Sequence, residues 1–513
     1  MFNSLTSDLL LLVSAIVVLS LLILKNIKAK CSRSPLPPGP RGYPLIGNIF
    51  DMPSSREWET FTEWGRKYGP ITYFHMAGEH FVLLNSLETT LEMLEAKSSI
   101  YSDRPVFPML GETMGWDRGL VLSHYGERFR AFRRLVHRFM GTRTTVSHHH
   151  DTVVRHTHRF LQRLLDAPEK FIEHLRGTAG SVVLDLVYGY QVKERDDEIV
   201  HIAEVASLEF SRAATPGAFL VDSLPFLRHV PEWFPGAGWK KLGREWRADT
   251  YKVVDAPFEH TQQRRAAGIS GMSFVDAYSN DGMSEEDADI LKWGAASIYF
   301  GGSDTMVSST SSCFLAMTLY PDVMKKAQAE LDAVVGPHRL PTFADWESLP
   351  YLNAVLKEVL RWAPVTPFGG HHRLMEDDVQ DGFLIPAGSA IVVNIWGLLH
   401  DEKIYSHPMI FDPERFIATE KRAAELDPHR ILFGYGRRSC PGMHFADASM
   451  FLYMATILAA FDISKAVDDC GHVIEVKADF TSGLVSHPAP FRCSIKPRSS
   501  EAISLIRDVN LVE

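Results

Sequence analysis

The chain has 513 residues, 45% of them hydrophobic and 23% charged, with a formal net charge of -10. That is the balance of an ordinary globular protein with a large core, and the acidic surplus gives no footing to nucleic-acid binding, which needs a basic patch. The five cysteines (Cys31, Cys313, Cys440, Cys470 and Cys493) are odd in number, scattered and free of any CxxC pair. They argue against a disulfide framework and a structural zinc site, and for a reducing compartment.

The N-terminus stands apart from this average. Residues 9–24 (LLLLVSAIVVLSLLIL) carry no charge. Extended to Ile27, at about 1.5 Å per residue, the stretch approaches the about 27 Å of an endoplasmic-reticulum bilayer. Only Asp8 precedes it, whereas Lys25, Lys28, Lys30 and Arg33 follow; the positive-inside rule then leaves the rest of the chain in the cytosol. The rival reading, a cleaved secretory leader, asks for a basic n-region, and no Lys or Arg precedes the apolar run. Residues 1–33 therefore read as a single-pass membrane anchor and residues 34–513 as the body of the protein. Between them, Pro35-Leu36-Pro37-Pro38-Gly39-Pro40 reads as a stiff, extended hinge, because prolines fix φ.

Residues 71–85 form two short apolar runs around Ala77-Gly78-Glu79, a hairpin signal. Residues 125–140 have a helical period, with Phe129, Arg133, Val136 and Met140 on one face and Arg130, Arg134, His137 and Arg138 on another. His148-His149-His150 reads as solvated surface and not as a metal site, since adjacent residues do not share a helix face. Residues 291–320 read as an apolar helix stopped by Pro321. It contains Gly301-Gly302, and each glycine costs a helix about 1 kcal/mol against alanine; that cost predicts a local opening. Ser297, Gly301 and Thr305 recur at i, i+4 and i+8 and share a face, with Phe300 beside it. Residues 381–394 give a second hairpin, with turns at Asp381-Gly382 and Pro386-Ala387-Gly388. No linker-like break divides residues 41–495, so one large domain is expected, mainly α with minor β.

The most informative segment is Phe433-Gly434-Tyr435-Gly436-Arg437-Arg438-Ser439-Cys440-Pro441-Gly442. A thiolate ligand to haem iron needs backbone N–H groups aimed at sulfur, and Gly436 and Gly442 permit that approach. The haem carboxylates need a cation, which Arg438 supplies, and Phe433 is placed to limit water at the sulfur. Pro441 suits the first turn of a helix beginning just after Cys440, whose N-terminus would stabilise the negative sulfur. A buried, inert cysteine in a Gly-rich turn is the bland alternative. Chance alone would produce F-x-x-G-x-R-x-C-x-G in a chain of this length about once in ten thousand.

This segment resembles the haem-binding signature of the cytochrome P-450 superfamily, and the resemblance runs over almost the whole chain in the family's order. It implies the cytochrome P-450 fold, haem b with Cys440 as the metal ligand, and activation of O2. Gly301-Gly302-Ser303-Asp304-Thr305 resembles the oxygen-activation motif. Thr305 matches the threonine that hydrogen-bonds oxygen, and Asp304 the acid that feeds protons to it; a packing groove with Thr305 bonded to its own backbone is the alternative. Glu358 and Arg361, with Arg415 from Pro413-Glu414-Arg415-Phe416, resemble the family's buried ionic triad. Arg133 and the pair His372-Arg373 resemble propionate-binding residues, although Phe129 stands where the family usually has tryptophan. Ser297, Phe300, Gly301, residues 365–370 and the Leu484-Val485 turn would line a substrate pocket.

The implied reaction is monooxygenation of an apolar small molecule. The chain carries no NAD(P) or flavin fingerprint, so electrons would come from a separate NADPH–cytochrome P-450 reductase, with cytochrome b5 as a second donor, docking on the basic face of Arg130, Arg134 and Arg138. The segment from Thr481 to Phe491 is similar to fungal microsomal members, which often serve secondary metabolism or detoxification. Two alternatives stay open: haem-thiolate isomerisation or dehydration of peroxides, and a membrane-tethered haem sensor or lipid-binding module without turnover.

Overall fold

The computed structural model describes residues 34–508 apart from residues 194–195, 216 and 270; the anchor read from residues 1–33 lies outside the described residues. The body is mainly helical with small sheets. Its longer helices are α1 (Glu57–Tyr68), α2 (Glu127–Met140), α3 (His150–Asp166), α4 (Phe171–Tyr188), α5 (Glu198–Ala214), α6 (Gly238–Ala266), α7 (Glu285–Leu319), α8 (Pro321–Val334), α9 (Pro350–Trp362), α10 (Met443–Ala460) and α11 (Ser500–Arg507).

Helix α7 organises the rest. It begins earlier than periodicity suggested, because Ser284 Oγ caps it by accepting from Asp287 N, and Glu285, Glu286 and Asp287 occupy the positive end of its dipole. It ends where Pro321 opens α8. Met306 to Thr318 are buried without interruption, so this half is surrounded by other elements and not laid against a surface. The helix runs unbroken through Gly301-Gly302, so no local opening forms. The two glycines have different surroundings. A Cβ on Gly302 would sit 3.2 Å from Val183 Cγ2 of α4, whereas a Cβ on Gly301 would meet nothing within 4 Å. Gly302 is a packing glycine; Gly301 borders open space.

Strands β1 (Ile71–Met76), β2 (Glu79–Leu84), β3 (His372–Arg373) and β6 (Ala390–Val393) form one sheet in the order β1-β2-β6-β3, with β2 and β6 parallel. The first hairpin stands as expected, turning through Ala77 and Gly78 at positive φ. The second divides. Asp381-Gly382 turns β4 (Asp378–Gln380) into β5 (Phe383–Ile385), but β6 does not return to β5. Every β6 residue is buried, and a strand apolar on both faces belongs inside a covered sheet. Strands β7 (Phe461–Lys465) and β8 (Cys493–Pro497) make a separate ladder.

The proline hinge is docked on this sheet region: Tyr73 N donates to Pro38 O at 2.9 Å and Leu384 N to Pro35 O at 2.8 Å. The histidine run is not uniformly solvated. His148 is exposed, but His149 is buried with its Nε2 3.2 Å from Phe139 O, and His150 stacks on Phe343. Among the described residues, α10 is long and apolar enough to cross a membrane by length and composition, but 72% of that window is buried inside the molecule, as in a core helix.

Candidate functional site

Cys440 is presented by a loop that closes on itself. Its N–H donates to Phe433 O at 2.7 Å, and Gly434 and Gly436 both turn at positive φ. Gly436 is required by packing as well, since a Cβ there would lie 2.3 Å from Leu94 O. Pro441 is not in the first helical turn: α10 starts at Met443 with Gly442 as its cap residue. A residue without an N–H just outside the helix leaves the Gly442 amide as the donor facing sulfur. Burial pushes the Cys440 thiol up, opposed by that amide and by the cation of Arg133. Outside these contacts Cys440 keeps accessible surface.

A cluster of cations adjoins the loop. Arg438 is buried, donating from Nε to Ser102 O (2.8 Å) and from Nη2 to Ser123 O (2.7 Å), with its guanidinium 3.8 Å over the Phe129 ring. Thus Phe129, standing in for tryptophan, stacks on a cation. Arg133 reaches from α2 to Ser439 O at 2.6 Å. Arg104, which sequence reasoning missed, is buried and donates to Val121 O, Gly370 O and His371 O. Burial and mutual repulsion push Arg438 down to about 9, and burial pushes Arg104 down to about 10. His372 is buried with Nδ1 2.8 Å from Tyr101 O, and burial holds it down to about 3, leaving it neutral. Its predicted companion Arg373 turns elsewhere, half-exposed and 3.7 Å from Asp103. Among the described residues no carboxylate hydrogen-bonds Arg104, Arg133 or Arg438. Buried charge wants a counter-charge, and the two carboxylates of haem b fit this donor set.

The middle of α7 carries the other half. Gly301 and Asp304 are exposed and Thr305 half-buried, although the helix is buried on both sides of them. Thr305 Oγ1 donates to Gly301 O at 2.7 Å, the backbone bond held open as the alternative. Asp304 Oδ2 lies 3.2 Å from His487 Nε2, a partner the sequence did not suggest. Phe300 joins an aromatic cluster, 4.5 Å from Trp116 and 6.4 Å from Phe210 by ring centroids. The Ser297 hydroxyl is already engaged, donating to Trp293 O and accepting from Leu120 N. The Leu484-Val485 turn is open to solvent-accessible space, and Ser486 N bonds Val365 O at 2.8 Å, joining it to the 365–370 segment.

Residues 37–494 match the family model described as Cytochrome P450. This chain belongs to the cytochrome P450 family. It is similar to Cytochrome P450 monooxygenase 208 of Postia placenta (49% identical, covering 96% of each chain). It is also similar to Cytochrome P450 monooxygenase claR of Ampulloclitocybe clavipes (45% identical, 93% of this chain and 89% of the relative), and to Cytochrome P450 monooxygenase ppsD of Aspergillus oryzae (38% identical, 93% and 91%). Membership implies haem-thiolate chemistry with iron and O2, a redox partner and a small-molecule substrate.

The P450's buried ion cluster assembles from the three residues named from sequence. Glu358 meets Arg361 at 2.7 Å and Arg415 at 3.2 Å, and also accepts from Asp412 N. Glu425 joins as a fourth member, 2.8 Å from Arg415. Burial pushes Glu358 up, and Arg361 counters it. Beneath the Cys440 loop, His429 is held between Asp427 (2.6 Å) and Asp447 (2.7 Å) with its ring tilted against Phe433. These two carboxylates overcome burial and raise His429 to about 9.

Proposed function

We propose that this P450 is a monooxygenase that holds haem b through the Cys440 thiolate and inserts one atom of O2 into an apolar small molecule. The observation that carries this reading is a set of guanidinium groups, buried at Arg104 and Arg438 and half-buried at Arg133, whose hydrogen bonds go to carbonyls only, beside the loop that presents Cys440. Arg104, Arg133, Arg438 and the Nε2 side of His372 would hold the haem carboxylates, while the Gly442 amide and the Cys440 loop would hold the sulfur. When bound, haem supplies the redox chemistry, and a thiolate ligand favours O–O cleavage.

The chain's own residues do the rest. Gly301 keeps the α7 face open where a larger side chain would intrude. The Thr305 hydroxyl, which donates to Gly301 O, would be free to turn that donor toward the open α7 face when haem is bound, and Asp304 beside it would supply protons there. Phe300, Trp116 and Phe210 orient an apolar substrate and exclude water. Leu484 and Val485 close the far side of the pocket.

Electrons come from an NADPH-dependent reductase, with cytochrome b5 as a second donor. The exposed Arg130, Arg134 and Arg138 of α2 support docking of an acidic partner. Residues 1–33 anchor the protein in the endoplasmic-reticulum membrane, and the exposed Leu45, Phe50 and Trp233 support further lipid contact. A role in secondary metabolism or detoxification is part of this reading, supported by the fungal origin of relatives named as cytochrome P450 monooxygenases. The test is incorporation of label from ¹⁸O₂ into products formed by the full chain with reductase and NADPH from a library of apolar compounds. One labelled atom per product is expected; label arriving from H₂¹⁸O, or isomerisation or dehydration of a peroxide as the only turnover, without NADPH, would overturn the reading.

A further inference from the structure

The loop between Asp479 and Ala489 is fixed at many points. Thr481 N donates to His487 O, His487 N to Thr481 Oγ1 and Ala489 N to Asp479 O. Ser486 N is bonded to Val365 O, and Ser486 O accepts from the Ser308 hydroxyl of α7. Asp479 is paired with Arg56 at 2.6 Å, which occupies the loop's own carboxylate. A backbone held on both sides of His487 gives its ring little freedom, and that ring is delivered to Asp304.

The two imidazole nitrogens face different surroundings. Nε2 is 3.2 Å from Asp304 Oδ2. Nδ1 has no protein partner among the described residues and is not sealed from solvent-accessible space. An imidazole with one nitrogen on a carboxylate and the other on accessible space has the layout of a proton shuttle, since imidazole takes and gives protons near neutral pH. Resting on the reading of Asp304 as the proton donor, we infer that His487 is the positioning residue that recharges Asp304 from solvent. Water gives a proton to Nδ1, and the Nε2 proton passes to the Asp304 carboxylate. The ring returns to its Nε2–H tautomer by exchange with water, so the net change is one proton moved from solvent to Asp304. The Nε2–H bond also holds Asp304 in one orientation beside Thr305. A histidine in a C-terminal loop, 183 positions from the acid it serves, offers no pattern to sequence reading.

The experiment uses the full haem-loaded chain with excess reductase, NADPH and O2, without organic substrate, and compares His487→Ala, His487→Gln and Asp304→Asn. The rate of carbonyl-complex formation on reduction under carbon monoxide shows that electron delivery is unchanged. The carboxylate infrared band, identified as the difference between wild type and Asp304→Asn, reads the contact without turnover. His487→Ala should shift that band, slow NADPH consumption about tenfold and raise its H2O/D2O rate ratio, general acid–base steps being worth about 10²–10⁴-fold in full. His487→Gln keeps an N–H donor but cannot pass a proton. It should leave the band near its wild-type position yet remain as slow as His487→Ala. Recovery of the wild-type rate in His487→Gln would overturn the relay. So would a wild-type rate and isotope ratio in His487→Ala when Asp304→Asn is slow. If Asp304→Asn itself were as fast as wild type, the underlying assignment of Asp304 would fall, and the relay with it.

Discussion

Two buried clusters of arginine in this domain are wired differently. Around Glu358, each guanidinium meets a carboxylate: Arg361 has Glu358, and Arg415 has both Glu358 and Glu425. Around Arg438, the guanidinium groups of Arg104, Arg133 and Arg438 meet backbone carbonyls, and burial lowers the proton affinity of all three. The first cluster is electrically closed and can only hold the protein together. The second is open and asks for an anion. Burial of charge alone therefore does not separate a structural device from a binding site; the bookkeeping of counter-charge does.

The largest effect expected from this contrast is on the closed cluster. Glu358→Gln leaves Arg361 without a carboxylate and Arg415 with Glu425 alone, and should cost about 3–5 kcal/mol of stability. Chemical denaturation of haem-free and haem-loaded protein should show the loss in both forms. A loss confined to the loaded form would place Glu358 with the open cluster instead.

A second closed cluster can be opened by pH alone. His429 is raised from 6.5 to about 9 between Asp427 and Asp447. Because the folded value is the higher one, its contribution is fully present below 6.5 and is lost as pH rises through 9. Relative to His429→Gln, wild type should hold a stability advantage of about 2–3 kcal/mol at low pH that fades across this window. Equal pH profiles would contradict the clamp.

The open cluster should respond in the opposite sense to the first. Arg133→Gln keeps a donor for Ser439 O, so haem-free stability should change by less than about 1 kcal/mol, while haem affinity drops about tenfold, the value of one charge-assisted hydrogen bond. Equilibrium haem transfer and denaturation together decide it; equal losses in both would erase the distinction. Smallest of all, charge reversal at exposed Arg130 and Arg134 should slow reduction by the reductase a few-fold at low salt, with the difference vanishing as salt screens beyond about 8–10 Å. Stopped-flow reduction at two ionic strengths tests this, and identical rates at low salt would return those arginines to plain solvated surface.

What the sequence made legible follows from spacing. The basic and apolar faces of α2, the first hairpin and the Glu358–Arg361 pair are local patterns, and each stands in the structure where the pattern put it; the Cys440 segment was legible as a glycine-rich loop, but its helix begins at Met443 and not at Pro441. Arg415 was reachable through the motif around it. What stayed hidden is long-range. Arg104, His487, Trp116 and Phe210 are single residues whose roles come from neighbours far along the chain, whereas Glu425 lies only 10 positions from Arg415 but in no motif. The split of the second predicted hairpin has the same origin, since β6 takes its partner β2 from the N-terminal region. The glycine pair in α7 misled because a composition argument assigns both residues one cause, whereas one packs on Val183 and the other borders open space.

The central claim is that Cys440, as thiolate, is the ligand of the haem. It is tested most directly by the absorption of the reduced carbonyl complex. Wild type should absorb at about 450 nm, as thiolate ligation in this family implies, and Cys440→His should lose that band while the protein stays folded. A folded wild-type protein whose carbonyl complex absorbs at about 420 nm, or a Cys440→His variant that keeps the 450 band, would contradict the account.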